Sequence, residues 1–455
     1  MLAAGKGKRL RSSIPKVLHP VCGRPLLWHV LQTARAARPT KIVIVVGHGA
    51  DDVREAVASW GITPKPVFVE QAEQLGTGHA VLAAAKAVGR VHDVLVANGD
   101  FDPARPEDIR ALLRTHRRTD SAATVLTAEM NDPGGYGRVI REGRRLVAIR
   151  ELADATPQER AIREGATNWA VCRRADLYRA LPLVGRDNRQ REYYLNDIYP
   201  ILLGKGSRVS AVMGDTGGMI GANSRRGLAS LERLLRTRIN AAHMDAGVTL
   251  LDPTTTYIDA GVKIGSDTVV LPLTFLEGDT VIGRGCRIGP STRLVDTRVA
   301  DAAQVTFSVA EGALIGRGAD VGPFARLRPG TVLAARVHVG SYVEIKASSI
   351  GRDTKVPHLS YVGDATVGRR ANIGAATVTV NYDGYDKHRT VIGDDARIGS
   401  DTMLVAPVNV GKGGVTGAGS VITKDVPAGA LAVERGEQRT VKGYRRRRDS
   451  EHRGS

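Results

Sequence analysis

The apolar residues in the first half of the chain form short runs that are separated by stretches with helical spacing. The apolar runs predict β-strands at 42–46, 94–97 and 122–127. Helices are predicted at 107–116 and in the stretch after Thr77. Because buried strands that alternate with helices are typical of a parallel or mixed sheet, we expect a doubly wound, Rossmann-like α/β domain over residues 1–224.

Residues 225–247 have the pattern of one amphipathic helix. Their apolar residues recur at spacings of three and four, at Leu228, Leu231, Leu235, Ile239 and Ala242. Charged residues such as Arg233 and Arg236 lie between them. We therefore predict a linker helix after the α/β domain.

From Ile258 onwards the period of the apolar residues changes to six. One series runs through Ile315, Val321, Leu327, Leu333, Val339 and Ile345. An α-helix cannot give this period, whereas a triangular coil of three short strands turns one aliphatic residue of each repeat inward. Because stacked coils bury these residues against each other, we predict a parallel β-helix of hexapeptide repeats over residues 248–435, followed by a basic tail at 436–455.

The six-residue register breaks between Thr379 and Ile392. The segment NYDGYDKHRT (381–390) is polar and rich in turn residues, so we expect it to leave the coil as a loop. Loops on a rigid scaffold commonly carry binding and catalytic residues, which favours a functional loop over a neutral insertion.

Composition excludes several classes of protein. The three cysteines lie far apart without CxxC spacing, which argues against a disulfide framework or a zinc site. Neither a bilayer-spanning apolar run nor a signal peptide is recognisable, so we predict a cytoplasmic protein without a membrane partner.

The net charge of +18 allows two interpretations. It could serve nucleic-acid binding, or it could reflect an Arg-rich surface that attracts small anionic substrates. The only tight basic run is at 445–448, and basic patches interleaved with aromatic residues are missing. We therefore expect small-molecule substrates and no nucleic-acid partner.

Motifs in both predicted domains resemble those of one bacterial family, and the resemblance covers nearly the whole chain. They are LAAGKG (2–7), PKVLH (15–19), QAEQLGTGHA (71–80), GYGR (135–138), GPFARLRPG (322–330), NIGAATVTVNYDG (372–384) and IGDDARIGSD (392–401). The family is that of the bifunctional N-acetylglucosamine-1-phosphate uridyltransferase/glucosamine-1-phosphate acetyltransferases. The resemblance implies a nucleotidyltransferase-like first domain and a left-handed β-helix.

The resemblance also implies two reactions that lead to UDP-N-acetylglucosamine for peptidoglycan synthesis. Acetyl-CoA would acetylate glucosamine-1-phosphate, and UTP would then donate uridylate to the product with release of pyrophosphate. It further implies a homotrimer in which the acetyltransferase pocket lies between subunits.

Acetyl transfer requires a base, a stabiliser for the oxyanion and cations for the sugar phosphate. The resemblance places the base at His358 and the oxyanion side at Asn381 and Tyr382. Glucosamine-1-phosphate would bind at Arg328, Lys346, Tyr361 and Asn372, with Lys387 also near the sugar. Acetyl-CoA would bind at Ala375, Asn381, Tyr382, Lys387, Ser400, Ala418 and Arg435. Ala376 stands where the family has glycine.

Uridyl transfer requires a Gly-rich turn, phosphate-binding cations and a metal. By resemblance, Arg9 and Lys16 are the catalytic cations, and Asp100 and Asn223 hold Mg²⁺. UTP and UDP-N-acetylglucosamine would bind at Leu2, Ala3, Gly5, Lys16, Gln71, Gly76, Thr77, Gly137, Glu151 and Asn223. Asp100 also follows an apolar strand, where open α/β sheets bind ligands.

Four features of the first domain depart from the family pattern. The chain begins on the Gly-rich turn, so the preceding strand is missing or reduced to a residue or two, which a start placed too late would explain. Phe101 adds bulk, and Asp102 a second carboxylate, beside the predicted metal. The family's sugar-binding Asn aligns with Ala166, and Asn168 could replace it only if the strand shifts by one pleat period. Ala153 stands where the family has Lys.

These departures predict weaker uridyl transfer than acetyl transfer, relative to relatives that lack them. The leading hypothesis is the full bifunctional enzyme. An alternative is an acetyltransferase whose first domain has become mainly structural. A regulatory or scaffold protein is a third hypothesis, against which the set His358, Asn381, Lys387 and Arg435 argues.

Overall fold

The computed structural model describes residues 1–130, 134–214 and 221–453. The chain divides into two compact units, Met1–Arg238 and Ile239–Ser455. The division lies within the predicted linker helix. The domain limits at residues 224, 247 and 435 stay predictions.

In the described part of the first unit, strands and helices alternate. The strands are β1 (Leu2–Ala3), β2 (Pro20–Val21), β3 (Arg24–Pro25), β4 (Val43–Val46), β5 (Val67–Glu70), β6 (Asp93–Ala97), β7 (Ala123–Glu129), β8 (Arg138–Glu142), β9 (Arg145–Arg150), β10 (Glu164–Arg173) and β11 (Val209–Met213). The α-helices are α1 (Leu26–Ala34), α2 (Ala50–Ser59), α3 (Thr77–Ala83), α4 (Ala85–Val88), α5 (Pro106–Arg118), α6 (Pro157–Arg160), α7 (Arg174–Ala180), α8 (Ile198–Gly204) and α9 (Arg225–Asp245). Short 3₁₀ helices lie at Lys8–Leu10, Lys16–Leu18, Arg35–Ala37, Leu181–Leu183 and Leu195–Asp197.

The sheets of the first unit confirm the predicted α/β architecture. A parallel sheet has the order β1-β4-β5, and a mixed sheet has the order β11-β7-β10-β8-β9 with β6 paired to β10. A parallel bridge between Leu2 and Asn98 connects β1 to the residue that follows β6. The predicted strands at 42–46, 94–97 and 122–127 correspond to β4, β6 and β7.

The first strand is short but fully paired. Leu2 and Ala3 lie opposite Val45 and Val46 of β4. The α-amino group of Met1 donates to the carbonyl oxygen of Val43 at 2.8 Å. Of the two alternatives, a missing strand or one reduced to a residue or two, the structure shows a strand of two residues, and this strand still anchors the turn that follows it.

The second unit is a three-sided parallel β-helix. The strands of its first face are Thr249–Leu250, Val269–Val270, Arg287–Ile288, Gln304–Val305, Asp320–Val321, His338–Ser341, Lys355–His358, Asn372–Ile373, Arg397–Ile398, Val415–Thr416 and Leu431–Ala432. The second face contains Thr256–Ile258, Thr274–Glu277, Arg293–Val295, Val309–Glu311, Arg326–Leu327, Glu344–Lys346, Tyr361–Gly363, Val378–Val380, Met403–Val405 and Val421–Ile422. The third face contains Lys263–Ile264, Val281–Ile282, Arg298–Val299, Leu314–Ile315, Val332–Leu333, Ser349–Ile350, Ala365–Val367, Thr390–Ile392 and Val408–Val410. Helix α10 (Tyr444–Arg453) lies in the tail.

The aliphatic residues of the six-residue series form the core of this prism. Val321, Leu327 and Ile345 are completely buried, and Ile315 and Leu333 are nearly so. Each coil is covered by the next, which explains the strict repeat. The predicted β-helix is confirmed, and its coils are those of a left-handed β-helix. The predicted loop lies between Val378–Val380 and Thr390–Ile392.

Helix α9 follows the predicted apolar stripe only in part. Leu231 and Leu235 are buried as predicted, whereas Ala242 is exposed. Asn240 is buried instead, and its Nδ2 donates to the carbonyl oxygens of Pro253 and Thr256 at 2.9 and 3.1 Å. The prediction failed here because the helix end packs against backbone carbonyls rather than apolar side chains. None of the described helices is both long and apolar enough to cross a bilayer.

Candidate functional site

The Gly-rich turn follows directly from the paired strand β1. Gly7 has φ +58°, and a Cβ there would lie 2.9 Å from the Cβ of Lys16. A side chain at this position would therefore push the turn away from Lys16. Gly5 and Arg9 are exposed, so both face solvent on the open side of the turn.

Lys16, Asp100 and Asn223 converge from three distant parts of the sequence. The Lys16 ammonium forms an ion pair with the Asp100 carboxylate and donates to Asn223 Oδ1 at 2.5 Å. The prediction that these side chains share one site is therefore geometrically consistent. It lies at the carboxyl end of β6, where ligands bind in open α/β sheets.

The donor set at this site suits a hard cation. A carboxylate and an amide oxygen are ligands that Mg²⁺ accepts, with waters and substrate phosphates completing its shell. The Lys16 ammonium contacts both oxygens, so the site already accommodates positive charge. Among the described residues, no group of three or more His, Cys, Asp or Glu side chains could hold a metal by itself.

Three of the residues predicted to bind UTP and UDP-N-acetylglucosamine, Gln71, Gly76 and Thr77, lie together around the start of α3. Gln71 is buried, and its Nε2 contacts the carbonyl oxygen of Gly76 at 3.2 Å and His79 Nδ1 at 3.0 Å. Gly76 has φ +113°, and a Cβ there would lie 2.6 Å from the carbonyl oxygen of Tyr193. Only glycine fits this close approach between two backbone segments.

A cavity of about 300 Å³ opens beside these residues in the first unit. Four predicted binding residues line it, namely Thr77, Gly137, Glu151 and Asn223. Glu151 accepts a hydrogen bond from Asn196 Nδ2 at 2.8 Å, and burial raises the pKa of its carboxyl group although this hydrogen bond acts in the opposite direction. Asn196 was not predicted as a site residue, because nothing in its local sequence pattern distinguishes it from other turn asparagines.

Phe101 and Asp102, two residues after β6 that depart from the family pattern, lie in different environments. Phe101 lines the cavity and packs edge-on against Tyr136, with ring centroids 5.3 Å apart. The expectation that Asp102 adds a carboxylate beside the metal is wrong. Its side chain is buried and accepts two hydrogen bonds from Arg238 of α9, at 2.6 and 3.1 Å.

The backbone after Asp100 explains why the Asp102 side chain does not lie beside the predicted metal site. Trp169 Nε1 donates to the carbonyl oxygen of Asp102 at 3.3 Å, and Ala104 adopts φ +50°. The chain therefore turns inward, and the Asp102 side chain faces the helix. Burial raises the pKa of Asp102, while the Arg238 guanidinium lowers it. Ala153 is half-buried, and no contact explains its difference from the family residue.

In the second unit, two of the residues predicted to bind glucosamine-1-phosphate, Arg328 and Lys346, occupy one edge of the second face. Arg328 and Lys346 follow the paired residues Leu327 and Ile345, so they occupy the same position in successive coils. Arg328 Nη1 donates to Glu344 at 2.9 Å. A pair of stacked cations has the charge that suits a phosphate group.

Asp364 connects this corner to Asn381. Its Oδ2 accepts a hydrogen bond from Asn381 Nδ2 at 2.5 Å and lies 3.5 Å from Lys346 Nζ. Asp364 was not predicted as a site residue. Its separation of eighteen residues from Lys346, about one coil, is the signal that could have identified it.

Gly363 provides the space in which these side chains meet. A Cβ at this position would lie 2.4 Å from the Tyr361 hydroxyl and 2.8 Å from Asn381 Nδ2. The glycine is therefore required for the close packing of Tyr361 and Asn381, two of the predicted site residues.

The loop between the second and third faces carries Lys387 to the same corner. Tyr382 and Lys387 form an antiparallel bridge, and Asp383 accepts two backbone hydrogen bonds and one from His388 inside the loop. These bonds hold the pKa of Asp383 well below its usual range. The adjacent Lys346 lowers the pKa of Lys387 through a hydrogen bond and charge repulsion.

His358 lies at the end of a first-face strand, where the chain turns towards the second face. It ends the strand Lys355–His358, three residues before Tyr361, and its side chain is exposed. Its carbonyl oxygen accepts hydrogen bonds from Ser360 Oγ at 2.7 Å and from the backbone of Ala376 at 3.2 Å. Ala376 adopts φ +60°, a conformation for which glycine is the usual residue. Asn372 is also exposed on the first face.

Three of the residues predicted to bind acetyl-CoA form a column along one corner. Ala375, Ser400 and Ala418 each follow a corner glycine in successive coils. Backbone hydrogen bonds connect the column, from Asp401 to the carbonyl oxygen of Ala375 at 2.6 Å and from Gly419 to that of Ser400 at 2.8 Å. Arg435 lies beyond the last member, with its Cδ 4.0 Å from the Cβ position of Gly419.

Known proteins match both units of this chain. The model of the MobA-like NTP transferase domain matches residues 1–191. Bifunctional protein GlmU of Streptomyces avermitilis is 49% identical over 98% of this chain and 93% of that protein. The protein of the same name from Heliobacterium modesticaldum is 46% identical over 100% of this chain and 98% of that protein. The one from Carboxydothermus hydrogenoformans is 45% identical, with 98% and 99% covered. The chain therefore belongs to the family of the bifunctional protein GlmU.

Proposed function

We propose that this chain is a bifunctional enzyme of UDP-N-acetylglucosamine synthesis. Its second unit acetylates glucosamine-1-phosphate with acetyl-CoA, and its first unit then transfers uridylate from UTP to the product. The observation that carries the proposal is the convergence of Lys16, Asp100 and Asn223 at one sheet edge. The same chain also assembles the Lys346, Asp364 and Asn381 cluster.

In acetyl transfer, the sugar amine forms a C–N bond with the thioester carbon, the C–S bond breaks and coenzyme A leaves as its thiol. His358 takes the proton of the attacking amine, since an imidazole is a suitable base near neutral pH. The backbone and side chain around Asn381 face the oxyanion of the tetrahedral intermediate. Arg328 and Lys346 hold the sugar phosphate by charge-assisted hydrogen bonds.

The extended coenzyme fits a linear binding surface. The corner column of Ala375, Ser400 and Ala418 presents small side chains, so a long ligand can lie against the backbone. Arg435 would pair with a phosphate of the coenzyme.

In uridyl transfer, a phosphate oxygen of N-acetylglucosamine-1-phosphate attacks the α-phosphorus of UTP, and pyrophosphate leaves. Arg9 and Lys16 neutralise the phosphates beside the Gly-rich turn. Asp100 and Asn223 would hold Mg²⁺, which supplies further positive charge to the phosphate groups when it is bound. Gln71 and the start of α3 would orient the uracil, whose polar edge can pair with backbone and amide groups.

The structure offers no support for the alternative in which the first domain is only structural. The short first strand is paired with β4, and the Gly-rich turn, the cation cluster and the cavity are all formed. The prediction that uridyl transfer is weaker than in relatives without the departures remains a prediction.

Separate assays of the two half-reactions test the proposal on the purified full chain. His358→Ala should abolish acetylation of glucosamine-1-phosphate and leave pyrophosphate release from UTP and N-acetylglucosamine-1-phosphate unchanged. Asp100→Asn should have the reverse effect. Acetylation by the His358→Ala variant at the parent rate would contradict the assignment of the base.

We also propose a homotrimer. His358, Tyr382 and Lys387 are exposed on a single chain, and a pocket shared with a neighbouring copy would enclose them. A column of apolar residues at one corner, Phe307, Phe324 and Tyr342, offers a surface for that neighbour. A cytoplasmic location stays a prediction.

A further inference from the structure

Strand β10 carries an irregularity where it passes the cavity of the first unit. Ala166 lies opposite Thr127 of β7, and Ala170 lies opposite Val125. Four steps along β10 therefore correspond to two steps along β7. The two extra residues in β10 shift the strand by one pleat period, which changes the side chains that face the cavity.

Asn168 lies in the middle of this bulge. It adopts φ +60°, it is partly exposed, and it is one of the residues that line the cavity, together with Gly137 and Glu151. Ala166 does not line the cavity, because its methyl group is buried in the core against the apolar residues of the mixed sheet. The bulge thus places Asn168 at the cavity wall and leaves Ala166 in the core.

The surrounding contacts fix the bulge in place. Thr167 Oγ1 donates to the carbonyl oxygen of Leu126 at 2.8 Å and accepts from the backbone of Trp169 at 3.3 Å. Trp169 is itself buried. The position of Asn168 is therefore built into the sheet and does not depend on a mobile loop.

The residue type at this position requires an explanation. A left-handed backbone conformation costs roughly 1 kcal/mol for residues other than glycine, with asparagine among the more tolerant. Glycine would satisfy the backbone alone. The Asn168 amide has no hydrogen-bond partner among the described residues, whereas Asn196 and Asn223, which also line the cavity, are engaged with Glu151 and Lys16.

The chemistry of the cavity indicates the kind of group that this amide meets. The residues that line it in the described part of the chain are neutral or acidic, without Lys or Arg. Lys16 supplies a positive charge at one end, where it contacts the lining residue Asn223. A sugar phosphate would place its phosphate at that end and its neutral ring along the wall that contains Asn168 and Glu151.

We propose that Asn168 is a sugar-binding residue of the uridyltransferase site, whose carboxamide binds a hydroxyl or acetamido substituent of the sugar-phosphate substrate. This inference rests on the proposed uridyl transfer. An amide can donate and accept a hydrogen bond at once, which suits the neutral polar groups of a sugar.

Two variants separate the amide from the backbone conformation. Asn168→Gly keeps a residue that favours φ +60° and removes only the side chain. Asn168→Asp keeps the shape, loses the N–H donors and adds a negative charge near the substrate phosphate. Acetyl transfer by the second unit and the melting temperature are the internal controls, and neither should change.

Kinetics and direct binding of N-acetylglucosamine-1-phosphate test the proposal. We expect the KM for this substrate to rise about tenfold in Asn168→Gly, as for the loss of one buried polar contact, and further in Asn168→Asp, with the KM for UTP unchanged. Titration calorimetry should show the same loss of affinity. An unchanged affinity in Asn168→Gly, or no binding by the parent, overturns the inference. If the parent binds N-acetylglucosamine-1-phosphate but releases no pyrophosphate, and Asn168→Gly binds this substrate more weakly, the inference stands and the proposed uridyl transfer is refuted.

Discussion

At the scale of single residues, the acetyltransferase site depends on one position without a side chain. Gly363 pairs with Lys346 of the neighbouring strand on the second face. Its lack of a side chain leaves space for the Tyr361 hydroxyl and the Asn381 amide. The resemblance to the family assigned roles to these two residues and none to the glycine between them. A resemblance in sequence identifies side chains with a chemical role. The space that these side chains need depends on how neighbouring coils pack, which only the structure shows.

Substitution of Gly363 by Ala should disable acetyl transfer selectively. The added Cβ would displace Tyr361 and Asn381, and small displacements of reacting groups can cost about 100-fold in rate. We expect the rate of acetylation to fall at least about tenfold, with uridyl transfer unchanged. Gly204→Ala is the matched control, since its Cβ would meet nothing within 4 Å. Full acetylation by Gly363→Ala would contradict the packing described.

The pair of lysines at this corner predicts a pH effect. Lys346 lowers the pKa of Lys387, so Lys387 loses its proton at a lower pH than a free lysine and its charge is present only below that pH. If Lys387 binds acetyl-CoA, the KM for acetyl-CoA should rise as the pH is raised from 7 towards 10. Lys387→Arg stays protonated throughout and should flatten this rise. Equal alkaline profiles of the parent and the variant would exclude this role.

At the scale of elements, the β-helix was predictable almost coil by coil, whereas the end of β6 was not. The six-residue period is a property of the sequence itself, and the buried series from Ile315 to Ile345 follows it. The direction of Asp102 depends on the inward turn at Ala104, and the exposure of Asn168 depends on an irregular pairing of β10 with β7. No period in the sequence records either feature.

The ion pair between Asp102, which follows strand β6, and Arg238 of helix α9 should contribute to the free energy of unfolding. Arg238→Ala would leave a buried carboxylate without its partner, which costs about 3 kcal/mol of the free energy of unfolding. The double variant Asp102→Asn/Arg238→Met removes both charges and should recover most of that loss. Denaturant unfolding of the three proteins measures the difference. An Arg238→Ala variant as stable as the parent would show that the pair is not coupled to folding.

At the scale of the whole molecule, one apolar column predicts the assembly. Phe307, Phe324 and Tyr342 stand at one corner in successive coils with φ +45°, +60° and +57°, and their ring centroids are 5.8 and 5.3 Å apart. They are 40%, 52% and 62% exposed, which is unusual for stacked aromatic rings unless another surface covers them.

Phe324→Asp should separate the proposed trimer into single chains. Light scattering should then give a mass near 48.5 kDa, against three times that value for the parent. Acetyl transfer should fall with the trimer, and uridyl transfer should not, because its predicted residues all lie in one unit. Leu314→Asp is a control, since Leu314 is 45% exposed on the third face, away from that corner. A parent of 48.5 kDa would refute the trimer.

A single coupled reaction tests whether this chain catalyses both acetyl transfer and uridyl transfer. The purified chain is mixed with glucosamine-1-phosphate, acetyl-CoA, UTP and Mg²⁺, and the nucleotide products are separated by chromatography. We expect UDP-N-acetylglucosamine and pyrophosphate to form in equal amounts after coenzyme A is released. Accumulation of N-acetylglucosamine-1-phosphate without any pyrophosphate would contradict it.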